Sequence, residues 1–160
     1  MNEPNSQNEK PKDELRLIAV EINGLLGRYI EIHDAIFKSS WRKIIPLPFI
    51  FKPIDFGRLQ DITEKIQSQL ETCKQQISEL IEGLTQREKD FVDFLSQYCT
   101  TLIETVSLLR GILHQLHLKS QGSGKYSLTE YNKQCDLYKN AVDKYSAMGD
   151  QLNELYCKIG

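Results

Sequence analysis

Residues 14–37 read ELRLIAVEINGLLGRYIEIHDAIF, and within them Leu15, Ile18, Ile22, Leu25, Tyr29, Ile32 and Ile36 follow one another at alternating steps of three and four. On an α-helix that spacing gathers all seven side chains onto one stripe, whereas a strand needs alternation by two. Ala19, Leu26 and His33 form a second column beside the first, so the apolar stripe is broad. A broad stripe suits a bundle of three or more helices better than a two-stranded coil. Gly24 and Gly27 lie within the run and weaken it by about 1 kcal/mol each relative to Ala. They suggest a place where another helix approaches closely.

Three further segments carry the same period. Leu59, Ile62, Ile66, Leu70, Cys73, Ile77 and Leu80 define a second helix, capped by Asp55. Phe91, Leu95, Tyr98, Leu102, Val106, Leu109, Leu113 and Leu116 define a third, widened by Phe94, Ile103 and Ile112. In the fourth, Leu128, Cys135 and Val142 make one column, and Tyr131, Tyr138, Tyr145, Leu152 and Ile159 the other. Gly83 offers a stop, and Thr85 with Glu88 fits a capping box. The alternative there is a single bent helix running through both segments. Ser127 with Glu130 is a second capping box, with Tyr126 and Tyr131 placed as a hydrophobic staple. The expected fold is all-α: an antiparallel four-helix bundle of long amphipathic helices, over about 11–38, 57–82, 86–120 and 128–159, with one long apolar Pro-rich crossover at 39–56. Residues 11–160 form one domain, behind a polar, disordered leader at 1–10.

The crossover stands apart. Pro46, Pro48 and Pro53 forbid a continuous helix. Links between helices are normally polar, yet this one is rich in aromatic and aliphatic residues. Trp41, Arg42, Lys43, Ile45, Leu47, Phe49, Phe51 and Lys52 are therefore the candidate docking residues. An apolar centre flanked by cations suits a protein partner or a shallow membrane contact, or else the segment plugs the bundle. Fully extended it reaches about 50 Å, enough to cross the bundle, so the relative direction of the first two helices stays open.

Composition excludes several classes. The chain has 160 residues, 40% apolar and 26% charged, with a net charge of −2. Phosphate recognition wants a strongly basic face, so nucleic acid is not an expected partner. No run approaches the roughly 20 apolar residues of a membrane span. The polar first residues do not resemble a signal peptide, which makes cytoplasmic residence the expectation and peripheral membrane attachment its alternative.

Chemistry-bearing patterns are sparse. Cys73, Cys99, Cys135 and Cys157 stand singly, so buried free thiols are expected, with neither a metal site nor a disulfide framework. His114 and His117 are three apart, but a bundle metal site pairs each His with a Glu three residues earlier, and Ile30, Gly111 and His114 occupy those places before the three histidines. Gly122–Ser123–Gly124–Lys125 lacks the first glycine, the Ser or Thr and the preceding strand of a phosphate loop. The Tyr131, Tyr138 and Tyr145 column reads as core packing. No catalytic residue, cofactor, metal or small-molecule substrate is expected. The expected role is a non-enzymatic interaction or scaffold module that binds a partner protein or its own copy through exposed apolar surface. The alternative is a membrane-associating bundle that uses the 41–56 segment.

Overall fold

The structure, a computed structural model, describes residues 6–38, 54–80 and 82–159. The docking candidates Trp41, Arg42, Lys43, Ile45, Leu47, Phe49, Phe51 and Lys52 lie outside the described residues, as do residues 1–5. Four helices, α1 (Ser6–Phe37), α2 (Phe56–Glu79), α3 (Gln86–Ser120) and α4 (Leu128–Ile159), form a bundle, and there is no strand among the described residues.

The ends of the helices follow local chemistry. Asp55 accepts the Arg58 N–H at 2.9 Å and starts α2. Leu80 closes α2, and Gly83 adopts φ +86°, a left-handed conformation that glycine takes without a Cβ penalty. Thr85 and Glu88 then exchange side-chain and backbone bonds, so α2 and α3 are separate helices rather than one bent helix. At the far end of α3, Gly122 has φ +73°. There Ser123 N–H reaches the Leu118 carbonyl at 3.0 Å, while Gly122 N–H reaches Lys119 at 3.1 Å. These two bonds are those of a Schellman stop. Ser127 and Glu130 bond reciprocally at 2.9 and 3.1 Å to open α4, with the Tyr126 and Tyr131 rings edge-to-face at 5.9 Å beside them.

Two expected boundaries are corrected. Helix α1 begins at Ser6, five residues before the expected start. Pro11 sits inside this helix; near a helix start a proline withholds one N–H from the ladder without ending it. Helix α2 ends at Glu79 rather than 82, because the chain turns there and buries both Leu80 and Leu84 in the corner before α3.

All seven ladder residues of α1 are buried, Leu15 and Tyr29 almost completely. Helix α3 lies at the centre and packs against α1, α2 and α4. It accordingly buries residues around about half of its circumference, including Val92, Cys99, Thr101 and Thr105 beyond the expected stripe. The buried Thr63, Thr101 and Thr105 hydroxyls each donate to the carbonyl four residues earlier, at 2.8, 3.2 and 2.8 Å. That bond answers the cost of burying a hydroxyl, so threonine serves as a core residue here. In α2, Ile66, Leu70, Cys73 and Ile77 are core, while Leu59 and Ile62 are half-buried and Thr63 takes the inner place. In α4 the tyrosine column faces inward. Cys135 and Val142 occupy the rim, and Leu128 is exposed.

Neighbouring helices are tied at specific points. Arg28 of α1 donates to Gln69 of α2 at 3.2 Å, and Pro11 Cγ lies 3.7 Å from where a Cβ would stand on Gly83. Cys99 of α3 donates its thiol to the Leu70 carbonyl of α2 at 3.4 Å. His117, near the end of α3, lies against the bare backbone of Gly57 at the start of α2. A Cβ on Gly57 would stand 2.9 Å from the imidazole.

Candidate functional site

The described surface is most unusual where α1 faces α4. No Cα of one lies within 8 Å of a Cα of the other, although each packs against α3. Helices whose side chains interlock normally approach to 8–10 Å between axes. The seam is held open by long aromatic side chains that meet across it. Tyr29 and Tyr138 bond hydroxyl to hydroxyl, and His33 Nδ1 lies 2.8 Å from the same Tyr138 oxygen. Phe37 stacks on Tyr138 at 5.4 Å and 18°. Tyr145 meets Tyr29 edge-on at 5.9 Å and Tyr98 at 6.4 Å.

The electrostatics of this cluster are those of neutral groups. Burial raises Tyr29, and the neighbouring Tyr138 raises it further. Burial also raises Tyr138, against the bond from Tyr29. Burial lowers His33 below its ordinary value, opposed by Asp34 and helped by Lys38. A neutral imidazole protonated on Nε2 accepts from Tyr138 through Nδ1, and Tyr138 in turn accepts from Tyr29. A base or nucleophile needs the opposite perturbation, a phenol pulled down toward neutrality. The thiols point the same way: burial pushes Cys73 up to about 11 and Cys99 up to about 12. The expectation of buried cysteines holds for these two. Cys135 is half-buried and Cys157 exposed, since both lie off the tyrosine column of α4; all four thiols are free.

Farther along the same seam the aromatic bridge ends and small residues take over. Ala19 and Asn23 of α1 and Gly149 and Asn153 of α4 line a groove of ≈ 340 Å³. Phe91, Leu95 and Tyr98 of α3 contribute to it, with Val20, Ile22, Leu26, Leu152 and Tyr156 completing the lining. None of these residues is charged, although charged residues make up 26% of the chain.

The remaining candidates are dispersed. His114 is exposed and His117 is occupied against Gly57. Among the described residues no three His, Cys, Asp or Glu side chains come together as a metal site. No helix among them is long and apolar enough to cross a membrane. The glycines expected to admit another helix, Gly24 and Gly27, instead face open space, with nothing within 4 Å of a Cβ built on either. They fall on the outward side of α1, where Leu17 is 70% exposed and Val20 64%.

Comparison with protein-family models, with curated proteins and with solved structures finds no match in any of the three.

Proposed function

We propose that this chain is a non-enzymatic helical-bundle interaction module that binds a partner protein or a second copy of itself through exposed apolar surface. The observation that carries this reading is the outward side of α1. Leu17 and Val20 are exposed there at 70% and 64%, beside the open Gly24 and Gly27. Two glycines on a helix surface let a partner's backbone come close, and the flanking aliphatic residues supply area to bury. The neutral tyrosines and the raised thiols support a binding role over a catalytic one. In architecture we read an antiparallel bundle with residues 39–56 as the Pro-rich crossover, the last of them already in α2. Paired contacts support the antiparallel order, since residue numbers rise on one helix as they fall on the other: Arg28–Gln69 with Pro11–Gly83, Leu70–Cys99 with Gly57–His117, and Tyr98–Tyr145 with Phe91–Tyr156.

The test is sedimentation velocity over a concentration series, with affinity capture from the native cell, comparing the parent with a Leu17→Glu/Gly27→Lys variant. Both sites are exposed, so the variant is expected to keep the parent's melting temperature while losing self-association or its captured partner. A parent that is monomeric throughout, with captures identical to the variant's, sinks the reading. The Trp41, Arg42, Lys43, Ile45, Leu47, Phe49, Phe51 and Lys52 segment enters the same proposal as a second docking element. Its composition also carries the alternative of a cytoplasmic bundle attached peripherally to membrane. Co-sedimentation with anionic vesicles, lost on changing Trp41, Phe49 and Phe51 to Ser, distinguishes that alternative.

A further inference from the structure

The groove between α1 and α4 has properties that the interaction reading does not use. Its volume of ≈ 340 Å³ falls at the small end of the range of ligand sites, and it spans about two helical turns. That is too short for a docked helix, which needs three turns or more to hold its fold. Its shape comes from omissions. Ala19 and Gly149 stand where larger residues would close the seam, and a Cβ on Gly149 would meet only Tyr98 Cε2, at 3.9 Å.

Tyr98 supplies the second, independent observation. The residue is 4% exposed, and its hydroxyl makes no hydrogen bond to any described residue. Buried hydroxyls are ordinarily partnered, because an unpaired one costs about 1–3 kcal/mol. Among the described residues, Gln67 Oε1 is the single fully enclosed side-chain polar atom without a partner. The Tyr98 oxygen is therefore not sealed in the core, and the open space its side chain borders is this groove. Burial pushes this phenol up to about 12, so it remains a donor at neutral pH. Asn23 and Asn153, both exposed, belong to the lining, each offering an amide NH2 donor and a carbonyl acceptor.

We propose that the α1/α3/α4 groove binds a small, neutral, ring-containing molecule whose carbonyl or ring acceptor takes the hydrogen bond of Tyr98, with Asn23 and Asn153 at the rim. Phe91 and Tyr156, in tilted contact at 5.7 Å and 53°, form one continuous aromatic wall against which a flat ring can lie. The absence of any cation or carboxylate in the lining selects against charged ligands, whose desolvation nothing there would offset.

The assignment goes beyond the interaction reading and does not rest on it, because Leu17 and Gly27 are untouched in its test. The probe is Prodan, a neutral naphthalene ketone whose emission reports both burial and hydrogen bonding of its carbonyl. The parent is expected to bind it saturably, one per chain. Tyr98→Phe should weaken binding about five- to tenfold, the size of one hydrogen bond, and shift the bound emission to the blue. Gly149→Leu fills the groove from α4 and should abolish binding while leaving the melting temperature intact or higher, since leucine is the better helix former. Leu137→Ser, at an exposed α4 leucine outside the groove lining, should change nothing. The anionic 8-anilino-1-naphthalenesulfonate should bind at least tenfold more weakly than Prodan. No saturable binding by the parent, or undiminished binding by a folded Gly149→Leu, overturns the site. Equal affinity for the sulfonate overturns the neutral class. If Prodan fails but an aromatic-containing peptide binds and Gly149→Leu abolishes that binding, the occupant is a partner's side chain and the small-molecule assignment is wrong.

Discussion

Replacing Tyr138 with Phe removes one oxygen and with it two hydrogen bonds, because Tyr29 and His33 share that atom. The consequences for the two partners differ. His33 is half-buried and can turn to water, so its loss amounts to one ordinary bond, about 1 kcal/mol. Tyr29 is 1% exposed and keeps only the neighbouring Tyr145 hydroxyl once Tyr138 is lost, so its share of the cost is about 1–3 kcal/mol, lower the better Tyr145 takes over. Together Tyr138→Phe should destabilise by roughly 2–4 kcal/mol, or about 6–12 °C in melting temperature for a chain of this size. The reciprocal change Tyr29→Phe removes one bond and leaves Tyr138 still engaged with His33, so about 1 kcal/mol is expected. Removing both hydroxyls strands nothing buried, and the double variant should be no less stable than Tyr138→Phe alone. Urea titrations followed by circular dichroism, with all four proteins sharing one m value, read these differences directly. If Tyr29→Phe costs as much as Tyr138→Phe, or the two losses simply add, the shared-oxygen account is wrong.

Other outcomes follow from burial and charge. Ile22→Ala and Leu102→Ala, at sites 2% and 0% exposed, should each cost about 2–5 kcal/mol, whereas Val142→Ala at the α4 rim should cost about 1 kcal/mol or less; thermal melts rank them. Cys157 should react with a thiol reagent in the folded protein and Cys135 more slowly, while Cys73 and Cys99 wait for unfolding; early modification of the last two contradicts the packing. His33 titrates below its ordinary value of 6.5 when folded, because burial disfavours imidazolium. The unfolded chain thus takes up a proton first, so this contribution is full above about pH 6.5 and is lost as pH falls toward the folded value. Melting temperature should drop between pH 7.5 and 5.5, with a shallower drop in His33→Gln; identical slopes exclude His33 as the source.

The helical ladders were legible because one residue type at one period decides them. The α1 stripe is buried at all seven expected positions, and α3 and α4 span the expected residues. Less was readable where identity and position part ways. Thr63 takes an inner place that Ile62 was expected to fill, since a threonine that bonds its own helix counts as apolar in a way composition does not record. Leu128 fits the α4 period yet lies exposed, because periodicity continues through a first turn that has no neighbour to cover it. The seam was out of reach. Its width depends on which aromatic side chains meet across two helices more than a hundred residues apart, and its groove on the smallness of Ala19 and Gly149. Small residues inside a helical pattern announce nothing until the helix opposite is known. Spacing puts His33 in the second apolar column of α1 and Tyr138 in the core column of α4, and gives no sign of the bond between them.

The unequal shares of core held by α3 and α4 imply a graded release of the chain from its native state. Twelve residues of α3 are buried against three of α4, Tyr138, Tyr145 and Ile159. Two of those three lean on the aromatic cluster rather than on close-packed aliphatic surface. Amide protons in α3 should therefore exchange with solvent only through global unfolding, and those of α4 through a cheaper opening in which this helix lifts away while the other three stay assembled. Such an opening splits the Tyr29–Tyr138 bond and exposes the floor formed by Phe91, Leu95 and Tyr98. Whatever occupies that floor would thus slow α4 exchange selectively, which makes the last helix the part of the molecule most responsive to occupancy.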